Sequence, residues 1–101
     1  MTKQPVTYVN VLDVEPERQQ ELLDLLTRSI ENVIRHRPGH ISQTLLASLD
    51  GRRVVNIARW ASIEDTRATQ ADPQTAEQAA GVAEIATATP GLYRVITALK
   101  T

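Results

Sequence analysis

Residues 41–60 decide the fold, and they read Ile-Ser-Gln-Thr-Leu-Leu-Ala-Ser-Leu-Asp-Gly-Arg-Arg-Val-Val-Asn-Ile-Ala-Arg-Trp. Asp50-Gly51 predicts a tight hairpin turn, because such turns need residues that tolerate positive φ. The flanking segments, residues 41–49 and 54–60, are rich in apolar and β-branched residues, so they are predicted to be antiparallel strands.

Upstream of this hairpin the chain predicts one strand and one helix. Residues 6–14 read Val-Thr-Tyr-Val-Asn-Val-Leu-Asp-Val, and their β-branched and aromatic content favours a strand. Glu15-Pro16 opens a helix, since proline at the first helical position gives up only a donor that has no partner there. Apolar residues then recur at helical spacing until Pro38-Gly39 ends the helix.

Downstream, the pattern predicts a helix and a last strand. Ser62 begins the helix, with Asp65 three residues later as a loose capping box. Asp72-Pro73 interrupts this helix, and an Ala-rich continuation runs to about Ala86. Pro90-Gly91 stops it, and residues 92–99 form the last predicted strand. The order βαββαβ predicts an α+β, ferredoxin-like fold, with residues 1–101 as a single domain.

The hairpin turn also predicts which side chains share a face of the sheet. If Asp50-Gly51 centres the turn, residues whose numbers sum to 101 lie opposite each other. Opposed residues share a face, so Leu45 is expected opposite Asn56, and Ile41 opposite Trp60. Asn56 and Trp60 therefore point to the same side of the sheet.

The other face of the sheet is predicted to be apolar as well, with Leu46, Val55 and Ile57 on it. The helices of a βαββαβ unit cover only one face, and an exposed apolar patch usually marks an interface. A short domain also gains from extra burial, because folding alone removes only about 60–70% of its unfolded surface. We therefore expect a homodimer through the sheet faces.

Composition argues against several functional classes. The chain has 11 Lys or Arg and 12 Asp or Glu residues without a clustered cationic run, so we expect no nucleic-acid partner. No apolar run reaches the ~20 residues of a membrane span, and the N-terminus lacks an apolar signal core. We therefore expect no membrane association and a cytoplasmic location. Cysteine is absent, and Pro38-Gly39 separates His36 from His40, so we expect no metal site.

Three residues mark a candidate site. Asn10 is polar within an apolar strand, and the first and third strands are neighbours in this fold, which brings Asn10 near Asn56. A buried amide that lacks partners costs about 1–3 kcal/mol. In one interpretation each Asn fills a local hydrogen-bonding gap, and Trp60 is simply the largest core residue. In the other, two amides and an indole line a pocket for a flat aromatic ligand that carries carbonyl or phenol groups.

Three segments of the chain resemble the antibiotic biosynthesis monooxygenase family. They are residues 48–60, the helix start at residues 62–65, and Pro-Gly-Leu-Tyr at residues 90–93, and the most specific part is Val-Asn-x-x-x-Trp at residues 55–60. The resemblance spans nearly the whole chain and implies a dimeric α+β barrel. Within the family, the sequence is most similar to the anthrone oxygenases of aromatic polyketide pathways. These oxidise a tricyclic phenolic substrate with O2 and use no flavin, haem or metal.

The resemblance implies roles for the three candidate residues. Asn10 and Asn56 would hold the oxygens of a small aromatic substrate, and Trp60 would pack on its ring. The resemblance also implies that catalysis needs no cofactor. Ala83 stands where some anthrone oxygenases carry a helix arginine, and Gln70 lies near the place of a histidine of haem-degrading members. A small-molecule-binding dimer without turnover, a haem-degrading monooxygenase and a purely structural dimer remain alternatives.

Overall fold

The computed structural model describes residues 4–101. Residues 1–3 lie outside the described residues. They belong to the N-terminal segment from which the cytoplasmic location was inferred. Seven helices and strands follow one another in the described chain: β1 (Val6–Val14), α1 (Gln19–Asn32), β2 (His40–Ala47), β3 (Arg53–Trp60), α2 (Ile63–Gln70), α3 (Pro73–Ala83) and β4 (Ala86–Tyr93). Short 3-10 turns, Pro16–Arg18 and Ile34–His36, flank α1, which ends well before Pro38.

The four strands form one antiparallel sheet in the order β2-β3-β1-β4. This arrangement confirms the predicted α+β, ferredoxin-like fold. The second helical segment is divided into α2 and α3 at Asp72-Pro73, as the sequence predicted. β1 and β3 occupy the centre of the sheet, so residues on these two strands are flanked on both sides.

The helices pack on one face of the sheet through two buried apolar clusters. In the larger cluster, Leu22 and Leu26, one turn apart on α1, contact Leu12 of β1 and Val54 of β3. Full burial of a leucine or valine side chain stabilises the fold by about 1.5–3 kcal/mol. The smaller cluster, at the other end of the sheet, joins Val6, Ala58 and Trp60.

Side-chain caps begin both helices that follow β3. Ser62 Oγ accepts a hydrogen bond of 3.2 Å from the Asp65 N–H, which confirms Ser62 as the start of the helix, and it donates one of 2.9 Å to Asp65 Oδ2. Asp72 Oδ2 accepts from the Thr75 N–H at 3.2 Å and caps α3. These caps satisfy N–H groups that a helix start otherwise leaves without partners.

The hairpin between β2 and β3 keeps the predicted register but has a longer loop. Leu45 lies opposite Asn56, as predicted, although residues 48–52 form the connection instead of a two-residue turn. Ser48 closes the loop, since its Oγ accepts the Arg53 N–H at 2.8 Å. Gly51 supplies the positive φ of 80°. The loop is centred where the tight turn was predicted, so the pairing is unchanged.

The prediction that Ile41 faces Trp60 is wrong. The register of β2 shifts between His40 and Ser42, and His40 lies opposite Trp60. Ile41 is the extra residue at this irregularity, with 53% of its surface exposed. Such a bulge re-aims the side chains that precede it.

The last strand is also displaced from its predicted position at residues 92–99. α3 ends at Ala83, short of the expected Ala86, and β4 spans Ala86–Tyr93. Pro90 therefore lies inside a strand, opposite Asn10. A proline is tolerated there because β4 is an edge strand, where the missing N–H costs no ladder hydrogen bond.

Residues 94–101 follow β4 outside any regular element. This segment carries three large exposed apolar side chains, those of Val95, Ile96 and Leu99. In the part of the chain that the structure describes, no helix has the length and apolar character to cross a membrane.

Gly39 provides a test of how β2 is joined to the rest of the fold. Its φ is 86°, and an added Cβ would overlap the Asp65 carboxylate. We expect Gly39→Ala to lower the melting temperature, because a left-handed alanine costs about 1–2 kcal/mol before the steric overlap is counted.

Gly81→Ala is the matched control for this variant. Gly81 lies in α3 and has open space around the position of a Cβ. The same change should raise the free energy of unfolding by roughly 0.5–1 kcal/mol, because alanine favours a helix over glycine. Thermal melts that rank the two variants in the opposite order would contradict this account.

Candidate active site

A cavity of about 200 Å³ lies between the sheet and the helices. Its floor comes from alternate residues of the central strands, and Asn10 on β1 lies directly opposite Asn56 on β3. Part of its roof is made of small side chains, with Ala79 and Ala83 of α3 among them. Because alanine leaves space that a larger residue would fill, the helices cover this part of the sheet without packing onto it.

A hydrogen bond between helices spans the roof of the cavity. Ser29 Oγ of α1 donates to Gln78 Oε1 of α3, and both residues line the cavity. At the start of α3, Arg37 Nη1 lies 3.5 Å from Oδ1 of Asp72, the N-cap residue. Arg37 Nε also donates to Thr69 Oγ1 of α2 at 3.3 Å. α3 contains no fully buried residue, so these polar contacts act together with the packing of Val82 against the larger apolar cluster to hold it over the cavity.

Asn10 presents an acceptor that lacks a protein partner. Its Oδ1 is buried and makes no hydrogen bond to any residue in 4–101. A buried acceptor without a partner costs about 1–3 kcal/mol, so native structures usually supply one. A ligand hydroxyl in the cavity is the kind of donor that would satisfy this atom.

Asn56 has the opposite character. Its Oδ1 accepts a hydrogen bond from Gln43 Nε2 of β2. The Nδ2 group is therefore the part of this amide that remains available to a ligand. The two opposed asparagines offer an acceptor and a donor on the same floor.

Trp60 closes one end of the cavity. The residue is 4% exposed and packs with Val6 and Ala58. The His40 ring meets the indole edge to face, with the ring centroids 5.2 Å apart and an interplanar angle of 75°. Such aromatic pairs favour this geometry, so His40 fixes the orientation of the indole.

Tyr8 adds a phenol to the floor, two residues from Asn10. Burial raises the pKa of the Tyr8 hydroxyl above its ordinary value of 10.0, and a hydrogen bond with the Asn10 side chain offsets part of that rise. The phenol is therefore neutral at physiological pH. It lines the cavity as a neutral hydroxyl group.

The structure brings the three sequence-predicted residues together in this cavity, and their catalytic role stays a prediction. Gln70 and Ala83, the positions that depart from some members of the family, also line it. Sequence reasoning missed Tyr8 and Gln43 as site residues. The alternation of side chains along the strands carried a signal for both. Tyr8 shares a face with Asn10, and the hairpin rule places Gln43 opposite Ala58, on the face that also holds Asn56.

The polar clusters in the described part of the chain show no arrangement typical of a metal centre. Within residues 4–101, no group of three or more His, Asp or Glu side chains is placed to hold a metal ion. The chemistry available in the cavity is therefore that of oriented amides, hydroxyls and an indole.

Comparison with known proteins places the chain in a family. The profile of the antibiotic biosynthesis monooxygenase family matches residues 5–80. Tetracenomycin-F1 monooxygenase of Streptomyces glaucescens is 52% identical over 68 residues, which cover 67% of this chain and 61% of that protein. The match thus spans less than two thirds of the length of that relative.

Solved structures show the same fold over nearly the whole chain. Two crystal structures of SnoaB, a cofactor-independent oxygenase from Streptomyces nogalater, align with TM-scores of 0.88 and 0.85. Their sequence identities are 25% and 28%, and each covers 97% of this chain and 99% of SnoaB. Rv0793 from Mycobacterium tuberculosis shares the fold, with a TM-score of 0.81, 22% identity and coverage of 96% and 100%. The chain therefore belongs to the antibiotic biosynthesis monooxygenase family.

Proposed function

We propose that this protein is a cofactor-independent monooxygenase that oxidises a phenolic polycyclic aromatic, an anthrone-type polyketide, to a quinone with O2. The observation that carries the proposal is the pair of opposed amides on the cavity floor, with Asn10 Oδ1 buried and unpartnered. A flat aromatic with a hydroxyl beside a carbonyl supplies both the donor and the acceptor that this pair lacks. The relatives named as a monooxygenase and as a cofactor-independent oxygenase support the reaction class.

The reaction needs no external reductant, because the substrate supplies all the electrons. Loss of a proton from the ring methylene to water gives a carbanion that the phenolic rings delocalise. One electron passes to O2, and the substrate radical and superoxide then combine through a new C–O bond. Protonation gives a hydroperoxide. Loss of the second methylene proton with cleavage of the O–O bond releases water and leaves the carbonyl, so one CH2 group and O2 become C=O and H2O.

The residues of the cavity would act by orientation and by stabilising negative charge. Asn56 Nδ2 would donate to the ring carbonyl oxygen, where charge develops when the proton is lost. Asn10 Oδ1 would accept from the neighbouring phenol and fix the register of the ring system. Trp60 would contact the ring plane, and the apolar walls, which include Leu12 and Leu26, would restrict the access of bulk water to the carbanion.

Asn56→Ala tests the catalytic role directly. Removal of one oriented donor to a developing oxyanion typically lowers turnover ~10²–10³-fold, so we expect a loss of that order in oxygen consumption with 1,8-dihydroxyanthrone. The fold should survive, because the side chain lines a cavity. Trp60→Phe should lower turnover less.

The assay is run in the presence of a chelator and without flavin or haem, and thermal melts accompany each variant. If Asn56 and Trp60 had only structural roles, the variants would melt lower and consume oxygen at the wild-type rate. That result would show that the catalytic assignment is wrong. Wild-type protein that binds 1,8-dihydroxyanthrone without consuming oxygen would favour the non-catalytic binding dimer.

Tyr8 provides a pH-dependent test of the buried floor. Since its folded-state pKa lies above the unfolded value, the neutral phenol stabilises the fold below pH ~10, and this contribution is lost as pH rises through the folded-state value. The phenolate absorbance of wild type minus that of Tyr8→Phe should therefore rise with a midpoint above 10. A midpoint at or below 10 would mean that Tyr8 is more solvated than the structure indicates.

The homodimer is proposed from the face of the sheet that the helices leave uncovered. On the central strands, Val9 lies opposite Ile57 and Val11 opposite Val55. Leu46 on β2 is 49% exposed within one chain. A second copy packed sheet to sheet would cover this face, and the apolar tail at residues 94–101 would add to the buried area. A specific interface buries at least about 1,000 Å² in total.

Ile57→Asp tests the proposed interface. A carboxylate in a desolvated apolar contact is costly, so light scattering should show a monomer or aggregates where the wild type is a dimer. Ala80→Asp, which places the same charge on an exposed position of α3, should leave the dimer intact. A wild-type monomer at micromolar concentration, or an Ile57→Asp dimer, would contradict the proposed interface.

A further inference from the structure

The irregularity in β2 has a structural effect at the cavity. Strict alternation along β2 would place His40 on the face opposite to Gln43, because the two are three residues apart. The register shift between His40 and Ser42 turns His40 back toward the cavity face. Its ring then contacts Trp60, and its Nε2 lies 2.9 Å from Gln43 Oε1.

Gln43 links this histidine to the candidate site. It lies opposite Ala58, two residues from Asn56 on the neighbouring strand, a diagonal separation that a long side chain can span. Gln43 Nε2 donates to Asn56 Oδ1, and Gln43 Oε1 receives the contact from His40. Both ends of the Gln43 amide are therefore engaged.

The series of hydrogen bonds from His40 through Gln43 to Asn56 has a direction. Gln43 Oε1 can only accept, so His40 Nε2 must carry the proton. Gln43 Nε2 then donates inward, and Asn56 receives that bond through Oδ1. If the Gln43 amide were reversed, Asn56 Nδ2 would be consumed by Gln43, and the cavity would face two acceptors, Asn56 Oδ1 beside Asn10 Oδ1.

We propose that Gln43, held by His40, is a positioning residue that fixes the Asn56 amide with its N–H donors toward the substrate. This proposal rests on the proposed function, because it names what orients the donor to the developing oxyanion. It also explains the role of the bulge. In a regular β2 strand His40 would face away from Gln43 and could not take part in this series of hydrogen bonds. Gln43 is half-buried and lines the cavity, so it acts within reach of the site without being the donor itself.

Gln43→Glu is the decisive variant because it changes hydrogen-bonding character at almost constant shape. The carboxylate accepts from both neighbours, so Asn56 should turn its Nδ2 toward it and offer Oδ1 to the substrate. We expect kcat with 1,8-dihydroxyanthrone to fall about 10-fold or more while KM changes little, since the loss concerns charge that develops in the transition state. Gln74→Glu, the same change at the exposed start of α3, should leave kcat unchanged.

A double variant separates positioning from a structural role. In an Asn56→Ala background, Gln43→Glu should cause no further loss of kcat, because its target is gone. A merely structural Gln43 would instead leave kcat of the single variant at the wild-type value, or give additive losses in the double variant. Either of these results overturns the proposal.

A measurement without turnover keeps this inference distinct from the proposed function. The side-chain amide signals of Asn56, assigned by their loss in Asn56→Ala, should move in 15N–1H correlation spectra of Gln43→Glu and stay in place in Gln74→Glu. If the wild type consumes no oxygen but these signals move, the proposed reaction fails and the positioning role stands. If the signals do not move, Gln43 does not hold Asn56, whatever the activity.

Discussion

The antiparallel pairing of β1 with β3 is the constraint on which the rest of the structure depends. The register sets Asn10 against Asn56 on one face and Val9 against Ile57 on the other. Because side chains alternate along a strand, a slip of one residue would send the amides outward and bring the valines beneath the helices. The same register therefore determines both the polar floor of the cavity and the apolar face proposed for association. The central position of the two strands protects this register, since each is hydrogen-bonded on both edges.

The cavity exists because packing is concentrated at the two ends of the sheet. Leu12, Leu22 and Val54 are fully buried in one cluster, and Trp60 anchors the other. Between them α3 places small side chains, those of Ala79 and Ala83, over the sheet, and a chain without phenylalanine has few side chains large enough to reach it. Amides that face such a space have little competition from water, so their hydrogen bonds to a ligand are stronger than the same bonds at the surface. The buried Asn10 Oδ1 is then a local cost of folding, which a ligand of the kind proposed above would offset.

Much of the fold and of the site could be predicted because the decisive signals are local. The position of Asp50-Gly51 set the pairing of the hairpin, and this pairing with strand alternation placed Asn56 and Trp60 on one face. Ser62 and Asp72 marked the helix starts for the same local reason. The bulge was not predictable in this way, because Ile41 is apolar and fits the pattern of an inward residue. Pro90-Gly91 suggested the end of a helix, and only the sheet topology shows that Pro90 lies on an edge strand, where it is tolerated.

The polarity of the cavity could not be derived from residue types alone. An asparagine is both donor and acceptor, so the sequence identifies Asn10 and Asn56 but cannot tell which end of each amide faces a ligand. That choice depends on neighbours that are distant in sequence or displaced by the bulge. Asn10 is hydrogen-bonded to Tyr8 while its oxygen has no partner within residues 4–101, and the bond from Gln43 occupies the oxygen of Asn56. Two chemically identical side chains thus present opposite polarities to the cavity, and the substrate proposed above, with its hydroxyl and carbonyl side by side, would match this asymmetry.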